Sequence, residues 1–347
     1  AGGTGELMTL NLERMEEILD GRPAYRGRQA RAAVFSRLCR SWGEATDLPQ
    51  DLRALLAREV PLEIPAFLSR SADGGTAKAA IRLADGETIE TVLMRHRPER
   101  NTVCVSSQAG CPLGCVFCLT GDRGYSRNLS RGEIAAQVLF WSRFLKESSG
   151  RVRNVVFMGM GEPLLNYDAV LGAVRIFNDP EGLGIGARRI SISTAGIVEG
   201  IARLAGEGLQ VNLSISLNAP DNPLRSRLMP INRTYPIEAV LKAAAGYIEK
   251  TGRRLMIEYL LLAGVNDSPA QAGELAARLR EYLPRLFFVN LIVYNQTGKY
   301  LPSPAPAVAE FVRVLEGEGV AVTRRYRFGS DIGAACGQLA GEAPVPA

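Results

Sequence analysis

Residues 102–146 read TVCVSSQAGCPLGCVFCLTGDRGYSRNLSRGEIAAQVLFWSRFLK, and their order decides the fold class. A short run rich in β-branched and small residues leads into a loop containing Gly and Pro, and the loop leads into a segment with apolar residues at helical spacing. Ser130 and Glu133 have the spacing of a capping box, and Ile134, Val138, Trp141 and Leu145 then fall on one helix face. Strand, loop and helix in this order make one unit of a parallel α/β sheet.

The alternation continues downstream. NVVFMG (154–159), RISIST (189–194), VNLSISL (211–217), RLMIEYLLLAG (254–264) and FFVNLIVYN (287–295) read as strands, each followed by a helical stretch, and AVTRRYRF (321–328) leads to the tail. With the strand of the opening segment, these make six βα units. They predict an α/β fold, a partial (β/α)6 barrel over residues 101–330, with a C-terminal tail over 331–347. Upstream, NLERMEEILDG and RQARAAVFSRLCRSW carry helical periodicity and predict a small N-terminal helical accessory domain over residues 1–70. A connector over 71–100 contains a β-hairpin at 78–95, turned at Asp85-Gly86. Parallel α/β folds gather chemistry at the carboxyl ends of strands. The cysteine loop, GMGEPLLN, Ser193-Thr194, Ser216 to Asn218, and Asn295 all fall there.

The bulk properties are those of an ordinary globular chain. Of 347 residues, 46% are apolar and 22% charged, and no apolar run approaches the ~20 residues that span a bilayer. Residues 8–40 are interrupted by acids and arginines and show no secretory signal, so the expected setting is cytoplasmic. The net charge of +5 is too mild to identify a polyanion partner, and having only five lysines is an ordinary compositional bias. Arg22, Arg26, Arg28, Arg31, Arg37 and Arg40 crowd the accessory region, and Arg123, Arg127 and Arg131 lie beside Tyr125. Each group suits either an RNA-facing surface or a solvated face, and spacing does not separate the two.

Six cysteines occur, and in GCPLGCVFC three of them, Cys111, Cys115 and Cys118, are separated by three and then two residues. Three thiolates can hold three irons of a 4Fe-4S cluster and leave the fourth iron open to an external ligand. A closed zinc site wants a fourth local Cys or His, and none is nearby. The single histidine, His96, sits in MRHRPER and reads as an exposed loop residue, and Cys39 reads as part of a helix core.

The cysteine spacing resembles that of the radical S-adenosylmethionine (SAM) superfamily, in which the open iron chelates the amino and carboxylate groups of SAM. A closer resemblance rests on VSSQAGCPLGCVFCLTGDRGYSRNLS, NVVFMGMGEPLLNYD, RRISISTAGI, VNLSISLNAP, RLMPINRTYPIE and DIGAACGQLAG. In this order, from Leu10 to Gly341, the chain resembles the RlmN family of dual-specificity ribosomal and transfer RNA adenine methyltransferases, together with the Cfr resistance methyltransferases.

The resemblance implies that Cys111, Cys115 and Cys118 ligate the cluster. It implies that Gly161, Glu162, Ser193, Ser216, Leu217, Asn218 and Asn295 contact SAM, with Asn218 a departure because many relatives carry histidine there. Cys336 would be the methylated cysteine and Cys104 its resolving partner. Glu90, which alone reads as a surface carboxylate of the hairpin, would accept a proton. The implied cofactors are one 4Fe-4S cluster and SAM, two per turnover. The implied partners are 23S rRNA, tRNA and a flavodoxin-type reductant, with no membrane, for a monomeric enzyme. Pro163-Leu164 resembles the branch that methylates adenine carbon 2, whereas RFGSD resembles the branch that methylates carbon 8. The non-catalytic alternative is a zinc-stabilised RNA-binding protein.

Overall fold

The computed structural model describes residues 10–96, 100–283, 285–326 and 328–341. Its main sheet has ten strands in the order β1 (Ala66–Arg70), β2 (Thr76–Arg82), β3 (Thr88–Arg95), β4 (Asn101–Cys104), β7 (Val152–Phe157), β8 (Ile190–Thr194), β9 (Asn212–Ser216), β10 (Leu255–Leu261), β11 (Phe287–Val293) and β12 (Val322–Arg324). Pairing is antiparallel from β1 to β4 and parallel from β4 to β12. Two short strands, β5 (Gln108–Gly110) and β6 (Tyr125–Asn128), pair separately around the cysteine loop. The α/β class and the partial barrel expected from the alternation are therefore present. The segment 321–328 contributes a seventh parallel strand, β12, in place of a plain lead into the tail.

Helices follow the parallel strands and cover the outside of the sheet. The helix of the opening segment, Arg131–Lys146, is capped as its spacing predicts: Glu133 N donates to Ser130 Oγ at 3.1 Å and Ser130 N to Glu133 Oε2 at 2.8 Å. Ile134, Val138, Trp141 and Leu145 are all buried. The helix is also buried on its other side, where Leu12, Met15, Val34, Phe35, Trp42, Leu52 and Leu56 of the N-terminal helices join the same continuous core. Arg143 fixes this junction by donating to the carbonyls of Leu62 (2.6 Å) and Cys39. No helix is long and apolar enough to cross a membrane among the described residues.

Two local expectations change. Residues 66–70, within the segment read as helical, form β1, because AFLSR is too short and too evenly half-buried to show a period of its own and gains its conformation by pairing with β2. Cys39 is buried but lies beyond the helix, which ends at Ser36.

The main sheet does not close, since β1 and β12 are both edges. The tail runs along the seam instead. Asp331 accepts Ala72 N at 3.0 Å, Lys78 Nζ donates to Gly333 O at 3.4 Å, Leu119 N to Gly337 O at 2.9 Å, and Thr120 Oγ1 to Leu339 O at 2.6 Å. Gly329 begins this path at φ +62°, and a Cβ there would lie 2.6 Å from Thr76 Cγ2. Both the backbone conformation and the close approach therefore call for glycine.

Arg143→Leu should cost about 3 kcal/mol, because two buried carbonyls lose their donor. Urea unfolding followed by circular dichroism checks this, with the midpoint falling while the native spectrum is kept.

Candidate functional site

The loops at the carboxyl ends of the strands enclose a cavity of about 180 Å³. Cys111, Cys115 and Cys118 line one side of it. Gly161 and Glu162 after β7, Ser193 on β8, Ser216 on β9, and Asn218 line the other. Most of the residues implicated by motif are thus brought together. Leu217 is not, because its side chain is fully buried in the main core. Asn295 is displaced as well: it lines the larger cavity described below, donates to Cys336 O at 3.2 Å, and leaves its own Oδ1 buried without a partner among the described residues.

Local geometry explains the Gly-Glu pair. Gly161 has φ +97°, and a Cβ there would lie 2.5 Å from the Cβ of Gln108, so the loop can pass β5 only with glycine. Gln108 Oε1 then accepts Glu162 N at 2.8 Å. The Glu162 carboxylate receives Leu164 N at 3.0 Å and Ala195 N at 2.8 Å, which ties the ends of β7 and β8 together. Burial pushes its pKa up to about 7, against these hydrogen bonds. Asn218 also serves the backbone. It occupies the left-handed region at φ +61°, which asparagine tolerates better than most residues, and its Oδ1 accepts Leu260 N at 2.9 Å.

Burial pushes the Cys111 thiol up to about 12 and raises that of Cys115 further, with Cys118 and Cys111 adding to the Cys115 effect. The Arg225 guanidinium works in the opposite direction on Cys115. It is completely buried beneath the loop and donates to the carbonyls of Leu217, Ala195, Ser216 and Tyr235 and to Asn232 Oδ1. Among the described residues no three Cys, His, Asp or Glu side chains are grouped to hold a single metal ion. Three thiols in one loop can each take one iron of a cluster, whereas a closed zinc site wants a fourth ligand.

A second, larger cavity of about 650 Å³ occupies the barrel interior. Cys104 and Cys336 line it, and Cys336, Arg325, Met158 and Ile292 form the wall it shares with the smaller cavity. Burial, then the neighbouring Cys336, pushes the Cys104 thiol up to about 12, while Arg325 opposes the shift. Cys336, then Glu258 and Cys104, raise the Arg325 guanidinium above its ordinary range despite burial. Arg325 donates to Glu258 Oε2 at 3.2 Å, and Glu258 Oε1 is buried without a hydrogen bond among the described residues. The sequence reading missed Arg225, Glu258 and Arg325. Arg225 lies two residues before the quoted RLMPINRTYPIE motif, and a buried arginine is indistinguishable from a surface one until its carbonyl partners are placed around it.

Glu90 is not a surface carboxylate. It is 1% exposed, pairs with Lys78 Nζ at 2.6 Å, and receives Ala340 N and Gly341 N, both at 2.8 Å. It lies on the face of β3 that carries Val92 and Met94, both of which line the larger cavity, but it is covered by the tail.

The arginines that the sequence suggested for RNA are largely neutralised. Arg127 pairs with Asp85 and Glu133, Arg131 with Glu13 and Glu16, and Arg123 with Glu87. Arg31, Arg37 and Arg40 pair with Glu16, Asp47 and Glu147, and Arg22 and Arg26 donate to backbone carbonyls.

Residues 105–276 match the model of the radical SAM superfamily. The chain is 48% identical to a Chloroflexus aurantiacus protein over 98% of this chain and 94% of the relative, and 50% identical to one from Frankia alni over 93% and 79%. Both relatives bear the name "Probable dual-specificity RNA methyltransferase RlmN". A crystal structure of a radical SAM methyltransferase from Sphaerobacter thermophilus superposes with a TM-score of 0.89 at 45% identity, covering 97% of this chain and 99% of that one. With near-complete coverage at this identity, and with the cysteine loop and strand-end residues gathered around one cavity, the chain belongs to the RlmN family of radical SAM RNA methyltransferases.

Proposed function

We propose that this protein methylates carbon 2 of an adenosine in 23S rRNA, and in tRNA, through an S-methylated Cys336. The observation that carries this reading is the position of Cys336 on the wall shared by the two cavities, with Cys104 in the larger one. A single sulfur there can meet SAM on one side and a nucleobase on the other. A carbon between two ring nitrogens is electron-poor and cannot itself attack a methyl sulfonium, so a protein sulfur must carry the methyl carbon to it.

Cys111, Cys115 and Cys118 would hold a 4Fe-4S cluster, and Gly161, Glu162, Ser193, Ser216 and Asn218 would surround SAM. When bound, the two supply one-electron reduction, hydrogen abstraction and the methyl group. Within this reading Cys336 takes the methyl group by displacement as a thiolate and presents that carbon to the base. Asn295 holds the Cys336 carbonyl, and its oxygen, unpaired among the described residues, is offered to a donor on the nucleotide. Glu90 takes the ring proton once the tail shifts from its oxygens. Cys104 attacks the Cys336 sulfur as a disulfide forms, and the base leaves with the carbon–sulfur electron pair, taking up a proton that completes its methyl group. Pro163-Leu164 after the Gly-Glu pair supports carbon 2 over carbon 8. An RNA substrate fits a cytoplasmic monomer supplied by a flavodoxin-type reductant, with SAM used twice per turnover.

Anaerobically prepared protein should contain about four irons per chain and no stoichiometric zinc. Replacing Cys111, Cys115 and Cys118 together by Ala should abolish the iron, and full iron retention by metal analysis would exclude the cluster assignment.

The two remaining site cysteines should fail differently. Cys336→Ala should leave no SAM-derived methyl group on protein or RNA, whereas Cys104→Ala should be isolated with RNA covalently attached. Denaturing gels with radiolabelled methyl-SAM read both outcomes.

Arg325 opposes the burial that keeps Cys104 protonated, so Arg325→Met should raise the Cys104 pKa further. Release of methylated RNA at pH 7 should slow by about tenfold and recover as pH rises, since the attacking species is the thiolate. A pH profile of single-turnover release checks the sign.

A further inference from the structure

The larger cavity has two ends. One reaches Cys104, Cys336 and Asn295. The other lies at the amino-terminal ends of the parallel strands, opposite the cysteine loop: Arg100 precedes β4, Arg188 and Arg189 precede β8, and Asn212 begins β9. Among the described residues lining this cavity are five arginines and no carboxylate. Arg100, Arg188 and Arg189 at this end are exposed, as is Arg324 at the end of β12, and none of the four forms an ion pair among the described residues. Arg188 alone has a polar side-chain partner, Gln210, at 2.8 Å. This contrasts with the arginines around the cysteine loop and the accessory helices, most of which have acidic partners.

Aromatic rings mark the same rim. Tyr326 is 84% exposed, its ring lies 6.3 Å from that of Phe328, and Phe328 makes a 4.6 Å edge contact with His96. All three line the cavity. A large exposed aromatic beside unpaired guanidinium groups is the combination that binds single-stranded RNA, with arginine on phosphate and the ring beneath a base. The cavity volume is that of a pocket able to enclose one nucleotide.

We propose that RNA enters from the amino-terminal end of the barrel. The target adenosine is extruded up the interior to Cys336 and Cys104, the flanking phosphates lie on Arg100, Arg188 and Arg189, and a neighbouring base stacks on Tyr326. This rests on the RNA methyltransferase reading and adds the route and the grip. SAM and RNA then approach Cys336 from opposite ends of one barrel, so neither has to leave for the other to bind. Extrusion leaves an unstacked neighbour, for which Tyr326 is a replacement stacking partner.

The test uses the holoenzyme with unmodified tRNA and 23S rRNA fragments transcribed in vitro, with affinity measured across a salt series. The double variant Arg188→Glu/Arg189→Glu should bind at least tenfold more weakly, with the slope of log affinity against log salt reduced by about two. Tyr326→Ala should weaken binding by about 5-fold to 100-fold at an unchanged slope, and Tyr326→Trp should restore it. Iron content and SAM cleavage without RNA should match the parent in all variants, separating lost RNA contact from a damaged fold. Parent-like affinity and slope in the arginine and alanine variants, with methylation intact, would overturn the route and leave the methyltransferase reading standing. Failure of the parent enzyme to bind or methylate either RNA would overturn that reading, and the route with it.

Discussion

The architecture depends on how an unclosed sheet keeps its interior from collapsing or flooding at the seam. Here the tail lies between the β1–β3 extension and β12, and a buried carboxylate holds it. Glu90 has one oxygen on the Lys78 ammonium and the other on the amides of Ala340 and Gly341. A buried charge is tolerated only when paired and hydrogen-bonded, so removing any partner leaves the rest costly. The same anchor holds the segment that carries Cys336, which couples closure of the barrel wall to the position of the Cys336 sulfur.

Guanidinium groups organise much of the remainder, and they do so in three ways. Arg143 and Arg225 are buried and spend their hydrogens on backbone carbonyls, joining the accessory helices to the barrel and the cysteine loop to the β9 end. Arg325 sits at the boundary of the two cavities, where its charge offsets the desolvation of Cys104. The arginines at the barrel's amino-terminal rim are exposed and have no acidic partners among the described residues. One residue type therefore supplies structure, thiol electrostatics and an anion-attracting surface, according to burial and partner.

The division between the two cavities also bears on order. The smaller is built from strand-end loops locked by Gly161, Glu162 and Asn218, whose polar atoms serve backbone amides of neighbouring strands. Such a site is preorganised, because its shape depends on sheet register rather than on surface side chains. The larger is walled partly by the tail, so its shape depends also on contacts made outside the sheet.

Much was legible in the residues themselves. Period-two apolar runs alternating with capped helices determine a parallel α/β fold, because strands and helices impose different spacings on the side chains they bury. The spacing of Cys111, Cys115 and Cys118 within one loop determines a local donor set. Leu217 and Asn295, by contrast, were grouped with the other strand-end residues by chain position and by the family resemblance. The pleat turns Leu217 into the core, and the tail carbonyl draws Asn295 to the other cavity. The burial of Glu90, the meeting of Cys104 with Cys336, and the separation of paired from unpaired arginines were decided only in three dimensions. Each depends on contacts between segments far apart in sequence, and neither burial nor charge pairing across such distances leaves a periodic trace in the chain.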